Sequence, residues 1–203
     1  MIMSLPIITI GRSFGSGGRI IGEKVATLLN IPLYDKELVK ITAEKSGFHT
    51  SVVEQMQQNK PASLLYSLSG SVVEYPLQDQ VFFAQSAVIR ELAKKGPCVI
   101  VGRCADSILE NEARILKVFI HAPISQRAAR AKEEYKITAK KPLDYVKYVR
   151  KCDKKRKAYY DYFAHRPWGK AEHYDLCINS ALGLDIVADI IARAAKEFPE
   201  EIQ

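Results

Sequence analysis

The chain has 203 residues, a formal net charge of +7 and 47% hydrophobic residues. This length suits a single domain over residues 1–203, and this share of apolar side chains argues against disorder. No apolar run approaches the roughly 20 residues of a membrane-spanning helix, and no basic stretch with a long apolar core indicates a secretory signal. We therefore expect a cytoplasmic protein without membrane contacts, in which the four cysteines are free buried thiols, namely Cys98, Cys104, Cys152 and Cys177.

A strand, a glycine-rich loop and a helix are predicted at the start of the chain. Residues 6–10 form a short apolar run typical of a buried parallel strand, and apolar residues at helical spacing predict a helix over residues 19–29. Between them, residues 11–18 include four glycines and two serines. The backbone N–H groups of such a loop and the positive end of the helix dipole can hold phosphate oxygens. The residues predicted to bind a polyphosphate are Gly11, Ser13, Gly15, Ser16, Gly17, Gly18 and Arg19.

This loop departs from the Walker A pattern G-x-x-x-x-G-K-[ST]. If Gly17 is the last glycine of the pattern, Gly18 stands where the lysine belongs and Arg19 where the serine or threonine belongs. A looser register gives Arg19 the role of the lysine, and its guanidinium would then meet phosphate as a planar fork. A glycine-rich turn without a ligand is the alternative interpretation.

The rest of the sequence alternates predicted strands and helices. Residues 51–80 interrupt this pattern, because prolines and serines give them the composition of an irregular surface segment. In the closing helix we expect one apolar stripe to face the core, formed by Ile186, Ile190, Ala194 and Phe198. The predicted strands are residues 31–34, 98–101, 115–120 and 174–178, and the predicted helices are residues 36–46, 81–95, 125–134, 143–163 and 184–198.

Two further features carry positive charge. Arg103 follows a predicted central strand, where open α/β sheets bind ligands, so its guanidinium can bind a monophosphate or form a surface salt bridge. Residues 127–157 contain 13 Lys or Arg and 4 Asp or Glu, a net charge of +9, so the remainder of the chain carries about −2. Such a segment can bind nucleic acid or close over the phosphates of a nucleotide. Because no nucleic-acid-binding motif is present, we favour small-molecule nucleotides as partners.

The order of these motifs resembles that of one known family. The motifs are Gly15-Ser16-Gly17, the segment Ile31-Pro32-Leu33-Tyr34-Asp35, Val101-Gly102-Arg103, the pair Arg127 and Arg130, and the pair Asp153 and Arg156. Over about residues 7–198 the chain is similar to the cytidylate kinase-like proteins, a branch of the nucleoside monophosphate kinases. The loop sequence Gly-Ser-Gly-Gly-Arg and the segment Tyr-Asp-Leu-Cys-Ile-Asn-Ser at residues 174–180 resemble one narrower branch of that family.

The resemblance implies a P-loop α/β fold, the use of ATP with Mg²⁺, and phosphoryl transfer to CMP or dCMP. It implies that Asp35 lies close to the acceptor phosphate and the metal-bound waters, although Lys36 and Glu37 replace the usual Thr-Gly in this sequence. A helix N-cap is the alternative role for Asp35. Likewise, Cys104 stands where the family motif Gly-Arg-Asp has its aspartate.

Four other charged residues receive roles from the resemblance. Arg127 and Arg130 correspond to arginines of a lid that closes over the ATP phosphates, and charges on a solvated helix are the alternative. Asp153 corresponds to an aspartate that contacts the acceptor sugar, and Arg156 to an arginine that binds the acceptor phosphate. An internal ion pair between these two residues is the alternative. The aromatic side chains within residues 159–168 can stack on a base or pack in the core.

We expect a three-layer α/β/α P-loop fold with a mostly parallel sheet of about five strands. Residues 51–80 would form a monophosphate-binding insert, and residues 127–157 a basic lid region with its following helix. The expected function is ATP-dependent phosphoryl transfer to a nucleoside monophosphate. The alternatives are a kinase of another small acceptor, a nucleotide-binding regulatory protein without transfer activity, and an RNA-binding module. The expected catalytic residues are Arg19, Asp35, Arg127 and Arg130, and the expected acceptor-binding residues are Asp35, Arg103, Asp153 and Arg156.

Overall fold

A parallel five-stranded sheet forms the centre of the fold. The computed structural model describes residues 5–58, 75–111, 114–133 and 144–199. The strands are β1 (Ile7–Arg12), β2 (Leu33–Tyr34), β3 (Val99–Val101), β4 (Ile115–His121) and β5 (Leu176–Asn179). They lie in the order β2-β3-β1-β4-β5, and every neighbouring pair is parallel. Because the strands share one direction, their carboxyl ends meet at one edge, where α/β sheets bind ligands.

Helices cover both faces of the sheet and complete three layers. They are α1 (Gly18–Leu29), α2 (Glu37–Ser46), α3 (Thr50–Gln58), α4 (Leu77–Ala93), α5 (Ala105–Ile108), α6 (Ile124–Glu133), α7 (Tyr145–Ala164) and α8 (Leu184–Lys196). On one face, α1 and α8 bury Ile, Val, Leu, Ala and Phe side chains against the strands, and we call this side the aliphatic layer. On the other face, α2, α4, α5 and α7 bury tyrosine and cysteine side chains, such as Tyr160 and Cys104, besides aliphatic ones, and we call this side the aromatic layer. The layers are separate because successive strand residues face opposite sides, as Ile7 and Ile8 do.

The predicted three-layer fold with its parallel sheet is confirmed, but the first strand is longer than predicted. Gly11 and Arg12 belong to β1, because they pair with Phe119 and Ile120 of β4. The glycine loop is therefore shorter than predicted and spans residues 13–17. The last residue of the loop, Gly17, has a left-handed backbone conformation and lies directly before the first turn of α1.

The predicted apolar stripe of the closing helix is correct only in part. In α8, Ile186 and Ile190 are exposed, whereas Ala194 packs against the core and Phe198, beyond the helix, is buried. Spacing alone predicts an apolar face but does not decide which of two adjacent apolar stripes meets the sheet. The stripe that packs contains three alanines, whose small side chains let α8 lie close to α1. The buried residues of α8 are Val187, Ala188, Ile191, Ala192 and Ala195.

Two predicted functional regions lie partly outside the described residues. The predicted insert, residues 51–80, includes residues 59–74, which are not among them. At its two ends the expected irregular structure is wrong, because residues 51–58 belong to α3 and residues 77–80 form the first turn of α4. The Lys-rich tip of the predicted lid, residues 135–142, also lies outside the described residues.

The expectation that all four cysteines are buried is met in part. Cys98 and Cys104 are buried as expected, whereas Cys152 is half-buried and Cys177 is exposed. Within the described ranges, none of the helices has both the length and the apolar character needed to cross a bilayer.

Candidate active site

The glycine loop, residues 13–17, joins the end of β1 to α1. Gly15 and Gly17 have positive φ angles of 75° and 77°, and a Cβ on Gly15 would lie 2.5 Å from the carbonyl oxygen of Arg127. Both conformation and space therefore require glycine at this position. Among the described residues, no protein acceptor binds the backbone amides of Gly15, Gly17 and Gly18. These amides and the N-terminus of α1, which has no side-chain cap, can receive an anion.

Two of the predicted phosphate-binding residues lie outside this open part of the loop. Gly11 is a strand residue, and a Cβ at its position would lie 2.9 Å from the Phe119 ring. The amide of Ser13 donates to the carbonyl oxygen of Ile120 at 3.0 Å. Both residues therefore join the loop to the sheet instead of offering an open amide.

The hydroxyl of Ser16 is buried in the same loop and makes no hydrogen bond within the described part of the protein. A buried hydroxyl without a partner costs free energy, which a phosphate oxygen or a metal-bound water would recover. Across the described ranges, no group of three or more His, Cys, Asp or Glu side chains could hold a metal ion. Because Mg²⁺ usually keeps several waters and binds through substrate phosphates, the loop fits a magnesium–nucleotide complex without such a group.

The two predicted lid arginines lie on α6 and contact the backbone of the loop. Arg127 Nη1 donates to the carbonyl oxygen of Phe14 at 3.3 Å, and Arg130 Nη1 donates to that of Gly15 at 2.7 Å. These side chains are therefore not simply charges on a solvated helix. They bring two positive charges to the mouth of the loop.

Asp153 and Arg156 connect α7 to the same loop. Asp153 Oδ1 accepts a hydrogen bond from the amide of Phe14 at 2.7 Å, and Oδ2 lies 2.5 Å from Arg127 Nη1. Arg156 Nη1 donates to the carbonyl oxygen of Arg12 at 3.1 Å, and its guanidinium lies 5.2 Å from the centre of the Phe14 ring. Among the described residues, Asp153 thus forms its ion pair with Arg127 and not with Arg156.

Asp35 is buried at the carboxyl end of β2 and faces two arginines. Its Oδ2 lies 3.4 Å from Arg19 Nε, and its Oδ1 lies 3.8 Å from Arg12 Nη2. The N-cap of α2 is Lys36, and it makes no side-chain cap. The alternative role of Asp35 as a helix N-cap is therefore wrong, and its carboxylate neutralises positive charge between the loop and the sheet edge. Arg19 also contacts Glu23, one turn along α1, at 3.0 Å.

Arg103 follows β3 in a left-handed conformation, with a φ angle of 62°. Such strained backbone in a residue other than glycine occurs most often at functional sites. Its carbonyl oxygen accepts a hydrogen bond from Gln85 Nε2 at 3.2 Å, which helps to hold this turn. Burial lowers the pKa of the Arg103 guanidinium from its ordinary value, and the charge of Asp35 opposes that shift. The group stays protonated at neutral pH, because even a lowered arginine pKa is far above 7.

A cavity of about 450 Å³ opens at this edge, between the ends of β1 and β3 and one face of α7. Asp106 is the acidic residue in the described wall, and it is paired with Arg166 at 3.3 Å. The wall is therefore strongly positive, and it can bind an anionic ligand with an aromatic part. Its cationic residues are Arg12, Arg103, Lys151, Lys155 and Arg156, and its aromatic residues are Phe14, Tyr148, Tyr159, Tyr160, Trp168 and Tyr174.

The aromatic cluster of residues 159–168 is divided between the core and the wall of the cavity. Tyr159, Tyr160 and Trp168 line the cavity. Phe163 instead stacks on Phe82 of α4, with ring centres 3.9 Å apart. The cluster therefore packs the aromatic layer and also forms part of the wall of the cavity.

Sequence reasoning missed Arg12, Tyr148, Lys151 and Lys155. Three of these residues could have been found from helical spacing, because one face of α7 carries much of the cavity wall. That face comprises Tyr148, Lys151, Cys152, Lys155, Arg156 and Tyr159. The fourth residue, Arg12, gave no such signal, because its position depends on residues that are distant in the sequence.

The parallel sheet and the glycine loop before α1 define a P-loop kinase fold. A family model described as the cytidylate kinase-like family matches residues 7–182. The chain therefore belongs to that family, which confirms the resemblance seen in its motifs. No curated protein matches the chain.

Solved structures show the same fold. An uncharacterized protein from Eubacterium ventriosum ATCC 27560 is 28% identical, with a TM-score of 0.68, over 94% of this chain and 98% of that chain. Shikimate kinase from Acinetobacter baumannii, in complex with shikimate, is 15% identical, with a TM-score of 0.52, over 97% and 96% of the two chains. A gluconokinase from Sinorhizobium meliloti 1021 is 16% identical, with a TM-score of 0.55, over 96% and 97%. The two named kinases share the fold at an identity too low to transfer a substrate.

Proposed function

We propose that the protein transfers the γ-phosphoryl group of ATP to a nucleoside monophosphate, with CMP or dCMP as the acceptor. The observation that carries this proposal is the adjacency of an open glycine loop and a cavity with five cationic and six aromatic side chains in its wall. One element is suited to a triphosphate and the other to a phosphorylated ligand with a ring. Membership of the cytidylate kinase-like family supports the reaction and the choice of cytidine nucleotides.

The donor would bind at the loop. The amides of Gly15, Gly17 and Gly18 would hold phosphate oxygens, with the Ser16 hydroxyl beside them. Mg²⁺ bound with ATP would supply charge neutralisation on the phosphates, and Ser16 and Asp35 are the residues suited to hold its waters. Arg19 would add positive charge from the first turn of α1.

The acceptor would bind in the cavity. Arg103 and Arg156 would hold its phosphate, because a guanidinium can bind two phosphate oxygens at once. The aromatic walls, with Tyr148 and Trp168 among them, would hold the base and sugar by stacking. Both oxygens of Asp153 already contact the loop and Arg127, so a contact with the acceptor sugar requires one of these bonds to be exchanged.

Phosphoryl transfer needs alignment of the two substrates and cancellation of charge on the transferred group. Arg127 and Arg130 lie at the loop, so their guanidinium groups are suited to stabilise the charge that develops on the γ-phosphoryl oxygens. Closure of the region around them would also exclude water, which otherwise hydrolyses ATP.

Two alternatives remain in competition with this function. The first alternative is a kinase of another small acceptor, and the fold that this chain shares with shikimate kinase and gluconokinase supports it. The positive wall of the cavity favours an acceptor that already carries a phosphate over one that does not. The second alternative is a regulatory protein that binds a nucleotide without phosphoryl transfer, and the absence of the Walker A lysine supports it.

Formation of ADP by the purified protein tests the proposal. The protein is given ATP and Mg²⁺ with each of CMP, dCMP, UMP, AMP, GMP, shikimate and gluconate in turn. ADP formation that requires CMP or dCMP supports the proposal. Dependence on shikimate or gluconate indicates the other kinase, and ATP binding without turnover in the whole panel indicates the regulatory protein.

A further inference from the structure

The side chain of Arg12 fills the space at the position of the missing lysine. Gly18 stands where the Walker A pattern has its lysine. A Cβ built on Gly18 would lie 2.7 Å from Arg12 Cβ and 3.0 Å from Arg12 Cγ. Real Cβ atoms essentially never approach another atom more closely than 3.0 Å, so something would have to move. A lysine at position 18 and the arginine at position 12 therefore exclude one another in this arrangement.

The guanidinium of Arg12 reaches the edge of the sheet where the loop and the cavity meet. It leaves the end of β1 and crosses the turn after β3, where a Cβ on Gly102 would lie 1.6 Å from Arg12 Nη1. At that point Arg12 Nη2 is 3.8 Å from Asp35 Oδ1, and the residue lines the cavity. Two glycines, Gly18 and Gly102, thus make room for one arginine.

Contacts with two elements, β4 and α7, hold the backbone of Arg12 in place. It pairs with Ile120 of β4, and its carbonyl oxygen accepts a hydrogen bond from Arg156 at 3.1 Å. Its side chain is only 18% exposed, so water screens its charge less than that of a surface arginine. A charge held in this way needs little reorganisation when a phosphate arrives.

We propose that Arg12 supplies the positive charge that the lysine supplies in other P-loops, and that it contacts the phosphoryl group on its way from ATP to the acceptor. This inference rests on the proposed function of the site. A guanidinium between the two substrates can hold two oxygens of the transferred group through its planar fork.

Arg19 is the competing residue for this role. Its side chain is 39% exposed and contacts Glu23 and Asp35. The described wall of the cavity includes Arg12 and not Arg19. Arg12 is therefore the better placed of the two to contact both the donor and the acceptor.

An exchange of the two positions tests the inference. Arg12→Ala should lower kcat/KM about 100-fold, as the loss of one donor to a transition state does. Gly18→Lys alone should also lower it, because the new side chain meets the stem of Arg12. In the double variant Arg12→Gly/Gly18→Lys, which also removes the Cβ of residue 12, the lysine has space, and most of the lost kcat/KM should return. Arg193→Ala, which removes an exposed arginine charge from α8, is the matched control and should leave kcat/KM unchanged.

Binding of a non-hydrolysable ATP analogue, measured by titration calorimetry, separates this inference from the proposed function. If the parent protein transfers phosphoryl groups to no acceptor, the proposed function fails. Arg12→Ala should still raise the Kd of the analogue about 10-fold, and the double variant should lower it again. Circular dichroism checks that each variant is folded.

Three results would overturn the inference. The first is that Arg12→Ala binds the analogue and transfers phosphoryl groups like the parent. The second is a folded double variant whose kcat/KM is no higher than that of Arg12→Ala. The third is a loss of kcat/KM in Arg19→Ala that Arg12→Ala does not share. If the double variant does not fold, Arg12→Lys and Arg12→Gln give the answer. The lysine variant should retain about 10-fold more kcat/KM than the glutamine variant, and equal values contradict the inference.

Discussion

The two layers on either side of the sheet bury different kinds of side chains. In the aliphatic layer, α1 and α8 pack on the strands through Ile, Val, Leu, Ala and Phe side chains. In the aromatic layer, Tyr160 donates a hydrogen bond to Asp106 at 2.5 Å and accepts one from Arg166 Nε at 2.9 Å. Buried polar groups are stable only with such partners, and they fix the positions of their neighbours.

From this difference we infer that the apolar core of the aliphatic layer serves stability, whereas the aromatic layer also positions residues of the candidate site. Close apolar packing in the aliphatic layer leaves little room for a ligand and gives free energy through burial. The aromatic layer holds polar groups in defined positions and forms the wall of the cavity. Changes in the apolar core of the first layer should therefore alter folding alone, and changes in the second should also alter the handling of substrates.

The largest expected effect lies in the aliphatic layer at Ile191, which has no exposed surface. Ile191→Ala should lower the free energy of unfolding by about 2–5 kcal/mol, because it leaves a cavity that the neighbours fill only in part. Urea denaturation measures this loss, and the KM values for ATP and CMP should not change. Ile190→Ala makes the same change at a neighbour that is 39% exposed, and it should cost under about 1 kcal/mol. Equal losses in the two variants would contradict the division between layers.

A smaller effect, on activity, is expected where the aromatic layer holds the loop. Asp153→Asn keeps the size of the side chain but removes its ion pair with Arg127 and weakens its bond to the Phe14 amide. We expect kcat/KM to fall about 10- to 100-fold, with KM for ATP rising at least as much as KM for CMP. Steady-state kinetics with each substrate varied gives the two constants. A rise in the KM for CMP alone would instead support the acceptor-binding role that the family resemblance implies.

The hydroxyl group of Tyr160, in the aromatic layer, should affect both stability and substrate binding. Tyr160→Phe removes the hydroxyl that bridges Asp106 and Arg166 next to the cavity. It should lower the free energy of unfolding by about 1–2 kcal/mol and raise the KM for CMP. Thermal denaturation and kinetics measure the two effects, and Tyr75→Phe, at an exposed residue, should change neither. If stability falls while KM is unaltered, Tyr160 belongs to the core alone.

The smallest effect concerns acid stability at the edge of the aromatic layer. Partial burial raises the pKa of Glu110, but its hydrogen bonds to Arg166, at 2.7 and 2.8 Å, outweigh this and lower the pKa overall. Because the folded pKa is lower than the unfolded one, the pair stabilises the fold above the ordinary glutamate value near 4.5. That contribution is lost as the pH falls through the folded pKa. Between neutral and acidic pH, Glu110→Gln should therefore lose less of its free energy of unfolding than the parent does. Equal losses in the two proteins would contradict a stabilising role for the pair of Glu110 and Arg166.

Much of the fold could be predicted from local sequence patterns. Buried parallel strands appear as short continuous apolar runs, and glycines between a strand and a helix mark a loop, so β1, the loop and α1 were recognisable. The orientation of α8 was not, because Ile186 and Ile190 form a second apolar stripe beside the buried one. The contacts between layers decide between such stripes, and they are not local.

The candidate site could be predicted in position more than in detail. The glycines of the loop and Arg103 at the end of β3 follow general rules for α/β sheets, which place ligands at the carboxyl edge. Arg12 was missed because its path depends on two contacts. The pairing of β1 with β3 places Gly102 beside its guanidinium, and the glycine loop places Gly18 beside its Cβ. The contact of Asp153 with the loop depends in the same way on how α7 packs beside α6.

The central claim is that two nucleotides bind side by side, one at the glycine loop and the other in the cavity. Titration calorimetry of CMP into the protein, with and without a saturating non-hydrolysable ATP analogue and Mg²⁺, tests it most directly. The account predicts that CMP still binds one site per chain when the analogue is present, with an affinity that is undiminished. Loss of CMP binding in the presence of the analogue would mean that both compete for a single site, and would contradict the account.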